Sequence, residues 1–176
     1  KTIIINSIIL SFLIAQQSIG GLPQSMERNL PNPYNQITLP ILNIEQLLEE
    51  DRNAPLATPF RYGYKFDVNL SLDNSGEWFD LDNGDRIWRL MINSQDAFAL
   101  SLEYNQFYIP NGATLFVYNE DASMVAGGYT NLNNQSDMLF ATPLIQGDII
   151  YVEYYEPSDA YGEGIININY IIHDYK

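Results

Sequence analysis

The strongest regularity in the sequence is an alternation of apolar and polar residues with a period of two, which begins near residue 60. Successive side chains of a strand point to opposite faces, so this period predicts strands with one buried and one solvent-facing side. The clearest example covers residues 64–72, and a second covers residues 97–104. Their apolar faces consist of Tyr64, Phe66, Val68, Leu70 and Leu72, and of Phe98, Leu100, Leu102 and Tyr104.

Short apolar runs between turn sequences predict the remaining strands. They lie around Trp78 and over residues 88–92, 115–118, 124–129, 138–141, 149–155 and 166–172. In the last of these strands, Ile166, Ile168, Tyr170 and Ile172 are expected on one face. About nine short strands at regular spacing are typical of all-β folds. We therefore predict an antiparallel β-sandwich, similar to a jelly roll, with one short N-terminal helix.

The stretch 76–92 contains both tryptophans and the clearest hairpin signal, Asp-Asn-Gly-Asp at positions 82–85. Asn-Gly favours a two-residue turn, because both central residues tolerate positive φ. Each strand of the hairpin then carries one tryptophan. Trp88 is predicted to lie in the core because it is in register with Leu90 and Ile92. The sequence leaves the orientation of Trp78 open.

A single helix is predicted within the segment that precedes the strands, over residues 41–51. Asn43 is a suitable N-cap, and Gln46 stands three residues later, as in a capping box. Leu47 and Leu48 contribute to a small apolar face together with Ile44. Because the helix is short, we expect it to be stable only when docked on the sheet.

The N-terminal residues resemble an export signal followed by a linker. Lys1 precedes an apolar run and then small residues, the order found in signal peptides. We predict a signal peptide over residues 1–20, cleaved after Ala15 or Gly20, although a buried N-terminal strand or helix is an alternative. Residues 21–59 form a proline-rich linker that carries the helix, and residues 60–176 form the β-sandwich domain. The protein is then secreted and has no membrane span after signal removal.

Charge and cysteine content narrow the possible partners. The chain has 22 acidic and 8 basic residues, a formal net charge of −14, and no cysteine. This charge disfavours nucleic acids and anionic membranes, and it favours a basic partner or divalent cations. A solubility role for the acidity is an equally good explanation. Without cysteine, disulfides and thiolate metal sites are excluded.

No catalytic, cofactor-binding or metal-binding residue is assigned, and no cofactor is expected. His173 is the only histidine, and we predict an edge or surface position for it. The acidic stretch 80–85 lacks the residue order of a calcium loop, so a hairpin with acidic flanks is preferred. Glu153 and Glu156 are three apart on a strand and therefore face opposite sides of the sheet. Glu153 is expected to pair with a basic residue across the sheet.

Aromatic residues offer a different kind of candidate site. Trp78, Tyr104, Phe107 and Tyr108 could stack on sugars if they are exposed. Core packing is the alternative for each of them, because the sequence does not tell which aromatic side chains point outward.

Several motifs, taken in order, resemble one known family. They are Gly20-Gly21-Leu22-Pro23-Gln24-Ser25, Pro59-Phe60-Arg61-Tyr62-Gly63, Gly76-Glu77-Trp78 and Asn83-Gly84-Asp85-Arg86-Ile87-Trp88-Arg89-Leu90. Further along are Ile109-Pro110-Asn111-Gly112-Ala113-Thr114-Leu115, Tyr118-Asn119, Gly128-Tyr129-Thr130, Asn133-Asn134, Gly147-Asp148 and Glu153-Tyr154-Tyr155-Glu156-Pro157. Their order and spacing are similar to the N-terminal pro-region of secreted bacterial lysyl endopeptidase-like serine proteases, a trypsin-like class. The resemblance covers nearly all of the chain after the signal segment.

The resemblance implies a non-catalytic pro-domain that assists folding of a serine protease catalytic domain, keeps it latent, or both. The catalytic triad of that family belongs to a downstream domain outside this chain, which would act with the pro-domain in cis or in trans. Lys176 is the residue that a lysine-specific cut would leave, although an arbitrary fragment end is the simpler explanation. The alternative is a secreted binding module for a glycan or a cell-surface partner. An enzyme working through carboxylates is a third and weaker hypothesis.

Overall fold

The computed structural model describes residues 17–176, which form a two-sheet structure with few helices. The helices are α1 Gln24–Arg28 and α2 Ile44–Arg52, with 3-10 turns at Asn131–Asn133 and Ser158–Ala160. The strands are β1 Gln36–Thr38, β2 Gly63–Ser71, β3 Glu77–Asp80, β4 Arg86–Asn93, β5 Ala99–Tyr108, β6 Thr114–Asn119, β7 Val125–Tyr129, β8 Phe140–Ala141, β9 Ile145–Gln146, β10 Ile149–Glu156 and β11 Ile165–Asp174.

The strands form two sheets that pack as a sandwich, which confirms the predicted all-β class. Sheet one has the order β1-β4-β10-β6-β7, and β3 also pairs with β4. Sheet two has the order β2-β11-β5-β8, and β9 also pairs with β5. All pairings are antiparallel except that of β1 with β4. The two strands beyond the predicted nine, β1 and β9, have only three and two residues, too few to show a period.

The core lies between the sheets and uses most of the apolar faces that the alternation predicts. Two residues predicted on those faces, Tyr64 and Phe98, are exposed instead, and Phe98 lies just before β5. Sheet one contributes Trp88, Leu90 and Ile92 from β4 with Leu115, Val117, Ile150, Val152 and Tyr154 from β6 and β10. Sheet two contributes Leu100, Leu102 and Tyr104 from β5 with Ile166, Ile168 and Ile171 from β11. Trp88 is fully buried, as predicted, and its indole Nε1 donates to the Ser75 carbonyl over 2.8 Å.

The hairpin formed by β3 and β4 has a longer turn than the predicted two residues. Trp78 lies opposite Trp88 in the β3–β4 register. At the turn, Leu81 N donates to Asp85 O, and Gly84 N donates to Leu81 O, both over 2.9 Å. Gly84 has a φ of +85°, whereas Asn83 is not among the residues with positive φ. The loop therefore has three residues, and only its last residue, Gly84, has positive φ. The predicted two-residue turn would have required positive φ at Asn83 as well.

A bulge in β11 changes which residues of the last strand face the core. The pairing of β11 with both neighbours shifts between Ile168 and Tyr170. As a result Ile171 joins the core, while the Tyr170 ring receives the Lys65 ammonium 3.4 Å from its centroid. The prediction that Ile166, Ile168, Tyr170 and Ile172 share one face is therefore wrong after Ile168. The extra residue of a bulge reverses the in-out order of all residues that follow it.

Residues 18–40, here called the N-terminal strap, cross the outer face of sheet one. From residue 21 onward the sequence predicts a proline-rich linker, but the structure contains α1 and the parallel strand β1. Near its start, Ile19 N donates to Gly128 O of the edge strand β7 over 3.1 Å. The strap then places Ser25 over the middle of sheet one, and Ser25 is buried. Docking onto existing strands thus orders a segment that local propensity leaves extended.

Helix α2 follows the sequence prediction at its start. The Asn43 side chain accepts a hydrogen bond from Gln46 N over 3.1 Å, and Leu47 is buried. The Gln46 side chain donates to Glu50, so the capping box does not close. The predicted signal peptide lies largely outside the described residues. Within residues 17–176, no helix has the length and apolar character needed to cross a membrane.

Candidate functional site

Two motifs of the family-like series, residues 83–90 and 153–157, meet where β4 and β10 pair in sheet one. Register places Glu156 opposite Arg86 and Glu153 opposite Arg89. Because residues three apart on a strand face opposite sides, the two ion pairs lie on opposite faces of the sheet. The predicted cross-strand partner of Glu153 is thereby identified as Arg89, with Nε 3.5 Å from Glu153 Oε2.

The Arg89–Glu153 pair is buried on the outer face of sheet one, beneath the N-terminal strap. Glu153 accepts hydrogen bonds from Ser25 N over 3.0 Å, from Ser25 Oγ and from the Tyr118 hydroxyl over 3.2 Å. Arg89 donates from Nη1 to Pro31 O and from Nη2 to the Tyr118 hydroxyl over 3.0 Å. Burial, and then the Glu153 charge, raise the pKa of Tyr118 to about 12, which keeps its hydroxyl protonated as a donor. This cluster fastens the strap to the sheet.

The Arg86–Glu156 pair lies on the inner face of sheet one, at the rim of the sandwich. Glu156 Oε1 accepts from Arg86 Nε over 2.7 Å and from Gly162 N over 2.9 Å, and Arg86 Nη2 lies 2.6 Å from the same oxygen. The Tyr154 hydroxyl donates to the other oxygen over 3.2 Å. Every oxygen of this buried carboxylate is therefore satisfied, as a buried charge requires.

The Arg86 guanidinium is also held between two aromatic rings. Its Cζ is 3.8 Å from the Trp78 ring centroid and 3.7 Å from that of Tyr161. Trp78 is half-buried, and its indole Nε1 donates to Leu72 O over 3.2 Å. Tyr161 is 65% exposed. Trp78 is thus neither a core residue like Trp88 nor a free surface ring, because one face is covered by arginine.

A polar cleft of about 480 Å³ opens beside Arg86. Arg86, Trp78 and Glu156 line one part. Residues of β2, β5 and β11 line the rest, together with the turn that follows β2 and the segment that precedes β11. The amide side chains in its lining are Asn69, Asn74, Gln106 and Asn167. Asn167 Nδ2 donates to Asn69 Oδ1 over 2.7 Å, which links β11 to β2 across the lining.

A second opening, of about 520 Å³, has an apolar lining. Leu132 and Leu139, which are 60% and 54% exposed, stand beside Phe140 and Tyr170. Exposed leucines in a concave surface of this size are typical of a contact surface rather than of scattered surface residues.

The acidic turn at 80–85 is held by its own protein contacts. Asp85 Oδ2 accepts from the Tyr155 hydroxyl over 2.6 Å, and Oδ1 accepts from Ser158 N over 2.9 Å. The Tyr155 hydrogen bond, followed by that of Ser158, holds the pKa of Asp85 below its usual value. Asp85 therefore joins the turn to the loop after β10, as the preferred hairpin interpretation requires. Within residues 17–176, no group of three or more His, Asp or Glu side chains is arranged to hold a metal ion.

His173 is fully buried, so the predicted edge or surface position is wrong. Strand β11 lies between β2 and β5, and the bulge turns His173 inward. Its Nδ1 lies 2.7 Å from Ser94 Oγ, and its Nε2 has no partner among the described residues. Burial lowers the pKa of His173. The pair resembles a serine–histidine couple only in distance, because neither side chain is accessible to a substrate.

Two of the four aromatic residues predicted as possible sugar contacts belong to the core. Tyr104 and Phe107 are 2% and 1% exposed and pack on each other and on Phe140. Tyr108 is exposed and Trp78 is half-buried. The four residues therefore do not form one outward-facing aromatic surface.

Sequence reasoning missed Tyr161 and the role of Arg86. Tyr161 stands in a loop with polar and glycine neighbours, where a large aromatic residue has no periodic partner to explain it. An isolated aromatic residue in a polar loop can indicate a tertiary contact. Its partner Arg86 could not be predicted, because it lies 75 positions earlier in the sequence and only the fold brings the two together. A scan against protein-family models finds no match to this chain.

Proposed function

We propose that the chain is the non-catalytic pro-domain of an exported, trypsin-like serine protease of the lysyl endopeptidase class. Its catalytic domain lies outside this chain, and the pro-domain assists its folding, keeps it latent, or both. One observation carries the proposal: the most specific motifs, around Arg86-Ile87-Trp88-Arg89 and Glu153-Tyr154-Tyr155-Glu156, face each other residue by residue across β4 and β10. Two motifs that are far apart in the sequence thus form one structural unit.

The position of the single histidine supports a non-catalytic role. A serine nucleophile needs a base that can reach both it and the substrate. The His173 imidazole is sealed inside the sandwich, and its hydroxyl partner Ser94 is equally buried. The domain is therefore suited to binding rather than to nucleophilic chemistry.

The shape of the molecule supports a template role. Two packed sheets with ion pairs fixed on both faces of β4 and β10 make a rigid surface, and the apolar opening at Leu132 and Leu139 offers a contact area on it. A partner that binds only the native protease stabilises it by mass action, and occupation of its active-site region keeps it latent.

A refolding and inhibition assay with a denatured catalytic domain of this protease class tests the proposal. The pro-domain, added in trans, should increase recovered peptidase activity after dilution and slow peptide cleavage by the folded enzyme. Leu132→Asp with Leu139→Asp should weaken both effects, because a charge is then buried in the contact. Tyr62→Ala, which truncates an exposed tyrosine elsewhere, is the matched control. No effect of the unmodified domain on refolding or on cleavage would refute the proposal.

A further inference from the structure

The polar cleft beside Arg86 combines an immobilised guanidinium with several amide side chains. We propose that this cleft is a binding site for a neutral saccharide. The inference is independent of the protease partner, and it concerns a different surface from the apolar opening at Leu132 and Leu139.

The central element of the site is a guanidinium that is fixed in orientation. Rings on both faces and Glu156 on one edge hold Arg86 in place. Both short contacts to Glu156 use Nε and Nη2, which leaves Nη1 without a hydrogen-bond partner in the described part of the chain. Its side chain is 15% exposed, so the free edge is accessible from the cleft. A guanidinium held in this way loses little rotamer entropy when it donates to a ligand.

The remaining lining can both donate and accept hydrogen bonds. Asn69, Asn74, Gln106 and Asn167 carry amides, and each amide offers an oxygen acceptor and an NH₂ donor. Gln106 is exposed, with no partner for its side chain among residues 17–176. Saccharide hydroxyls present donors and acceptors together, so an amide-rich surface matches them better than it matches a group that only accepts.

Charge excludes an anionic ligand from this site. The positive charge of Arg86 is compensated by Glu156, which is fully buried beside it. Asp73 also lines the cleft, and the chain carries a formal net charge of −14. A carboxylate or phosphate would therefore enter a neutral or negative field.

The size and polarity of the cleft favour a saccharide over a peptide. A volume of about 480 Å³ lies within the range of small-ligand sites, about 300–1,000 Å³. Grooves that bind peptide side chains use apolar pockets. Here four amide side chains line the cleft, and Trp78 lies in its wall with one ring face against Arg86.

Titration with four neutral disaccharides, maltose, cellobiose, lactose and chitobiose, tests the site. Tryptophan fluorescence reports binding, because Trp78 lines the cleft while Trp88 is sealed in the core. At least one disaccharide should produce a saturable change at millimolar concentration. An acidic sugar, sialyllactose, and a capped neutral tetra-alanine peptide should produce none.

Substitutions in the cleft test whether the fluorescence change comes from binding there. Gln106→Ala and Arg86→Lys should each weaken binding about tenfold, because a hydrogen bond to the ligand is lost. Gln146→Ala is the matched control. Gln146 is an exposed glutamine that pairs with Ala99, and Ala99 lies seven residues, about 23 Å, from Gln106 along β5. If Arg86→Lys lowers the melting temperature, Gln106→Ala still decides the question.

Two outcomes would overturn the inference. The first is that no disaccharide produces a saturable change, or that the peptide binds in their place. The second is that Gln106→Ala binds the disaccharide as tightly as the unmodified protein does.

Discussion

Arg89 and Glu153 illustrate how a buried ion pair depends on every contact around it. Taking two charges out of water costs more than their attraction returns unless hydrogen bonds satisfy the remaining atoms. Here the Ser25 backbone and hydroxyl and the Tyr118 hydroxyl supply those bonds to Glu153. Pro31 O and the Tyr118 hydroxyl accept from Arg89, whose buried Nε has no hydrogen-bond partner in the described part of the chain. The mutual attraction of the pair contributes little net stability. Removing either residue is nevertheless costly, because the other is then a buried charge without a partner.

Substitution Arg89→Ala should therefore lower the free energy of unfolding by about 3–5 kcal/mol, because it leaves Glu153 buried and unpaired. Urea unfolding followed by tryptophan fluorescence measures the loss. Arg52→Ala is the control, since Arg52 lies at the exposed end of α2 outside any ion pair of the described chain, and it should change stability by less than about 0.5 kcal/mol. Equal effects of the two substitutions would contradict this account of the pair.

His173 gives the stability of the domain a predictable dependence on pH. Its pKa in the folded protein lies below the ordinary 6.5 because burial disfavours the charged form. Between those two pKa values only the unfolded chain binds the proton, so stability is fully present above about pH 6.5 and is lost as the pH falls. The slope contributed by this residue is at most about 1.4 kcal/mol per pH unit.

Unfolding midpoints measured between about pH 7.5 and pH 5.5 test that sign, with the range set by the ordinary histidine pKa. His173→Gln removes the titrating group and should flatten the profile in this interval, whatever it does to stability itself. The ordinary pKa values of Asp and Glu, about 4, lie below this interval. An unchanged slope in the variant would show that another group is responsible.

At the scale of elements, the N-terminal strap depends on a glycine in the strand that it covers. Gly128 has a φ of +64°, and a Cβ built there would lie 2.5 Å from Gly20 O. The strap and the edge strand β7 therefore approach as closely as backbone allows. The contact also covers an edge that would otherwise be open to association with another chain.

Gly128→Ala should accordingly destabilise the domain by more than the cost of a positive φ alone, which is about 1 kcal/mol. Gly162→Ala measures that baseline, because Gly162 has a φ of +78° with no atom within 4 Å of an added Cβ. In a chain shortened to begin at Gly21, the two alanine substitutions should cost the same. Urea unfolding of the four proteins gives the comparison, and a persistent difference in the shortened chain would place the clash elsewhere.

Elements with several periods of alternation could be predicted from the sequence, whereas elements created by docking could not. Strands β2 and β5 show their faces locally, and Asn43 marks the start of α2 by its own chemistry. Strand β1 has three residues in a proline-rich segment, and only its pairing with β4 makes it a strand. The burial of His173 follows from a bulge, which alternation alone cannot reveal. The sequence indicated Trp78 as a possible sugar contact, but the Arg86–Tyr161 contact and the amides of the cleft come together only in the tertiary structure.

At the scale of the whole molecule, most of the basic residues form ion pairs with carboxylates of the same domain. Of the seven lysine and arginine residues between positions 17 and 176, five form ion pairs within the domain: Arg61, Lys65, Arg86, Arg89 and Lys176. The excess of carboxylates is therefore presented to solvent with few cations between them. A field of this kind accelerates the approach of a basic partner and repels an acidic one.

If the protease partner presents a basic surface, its association rate constant should fall at least about tenfold between 50 and 500 mM salt. Stopped-flow mixing of the two domains measures the rate. Dissociation should change much less, because the apolar contact at Leu132 and Leu139 is not screened. An association rate that is independent of salt would mean that the acidity serves solubility alone.

The strap also limits when folding can be completed, because it contacts residues far along the chain. Its contacts join Ile19 to Gly128, Ser25 to Glu153 and Pro31 to Arg89. In the first two contacts, the partner lies more than a hundred positions later in the sequence. A chain that emerges from its N-terminus cannot complete this domain until β10 has emerged as well. Long-range pairings of this kind slow folding. The strap therefore cannot be fully docked before β4, β7 and β10 are available.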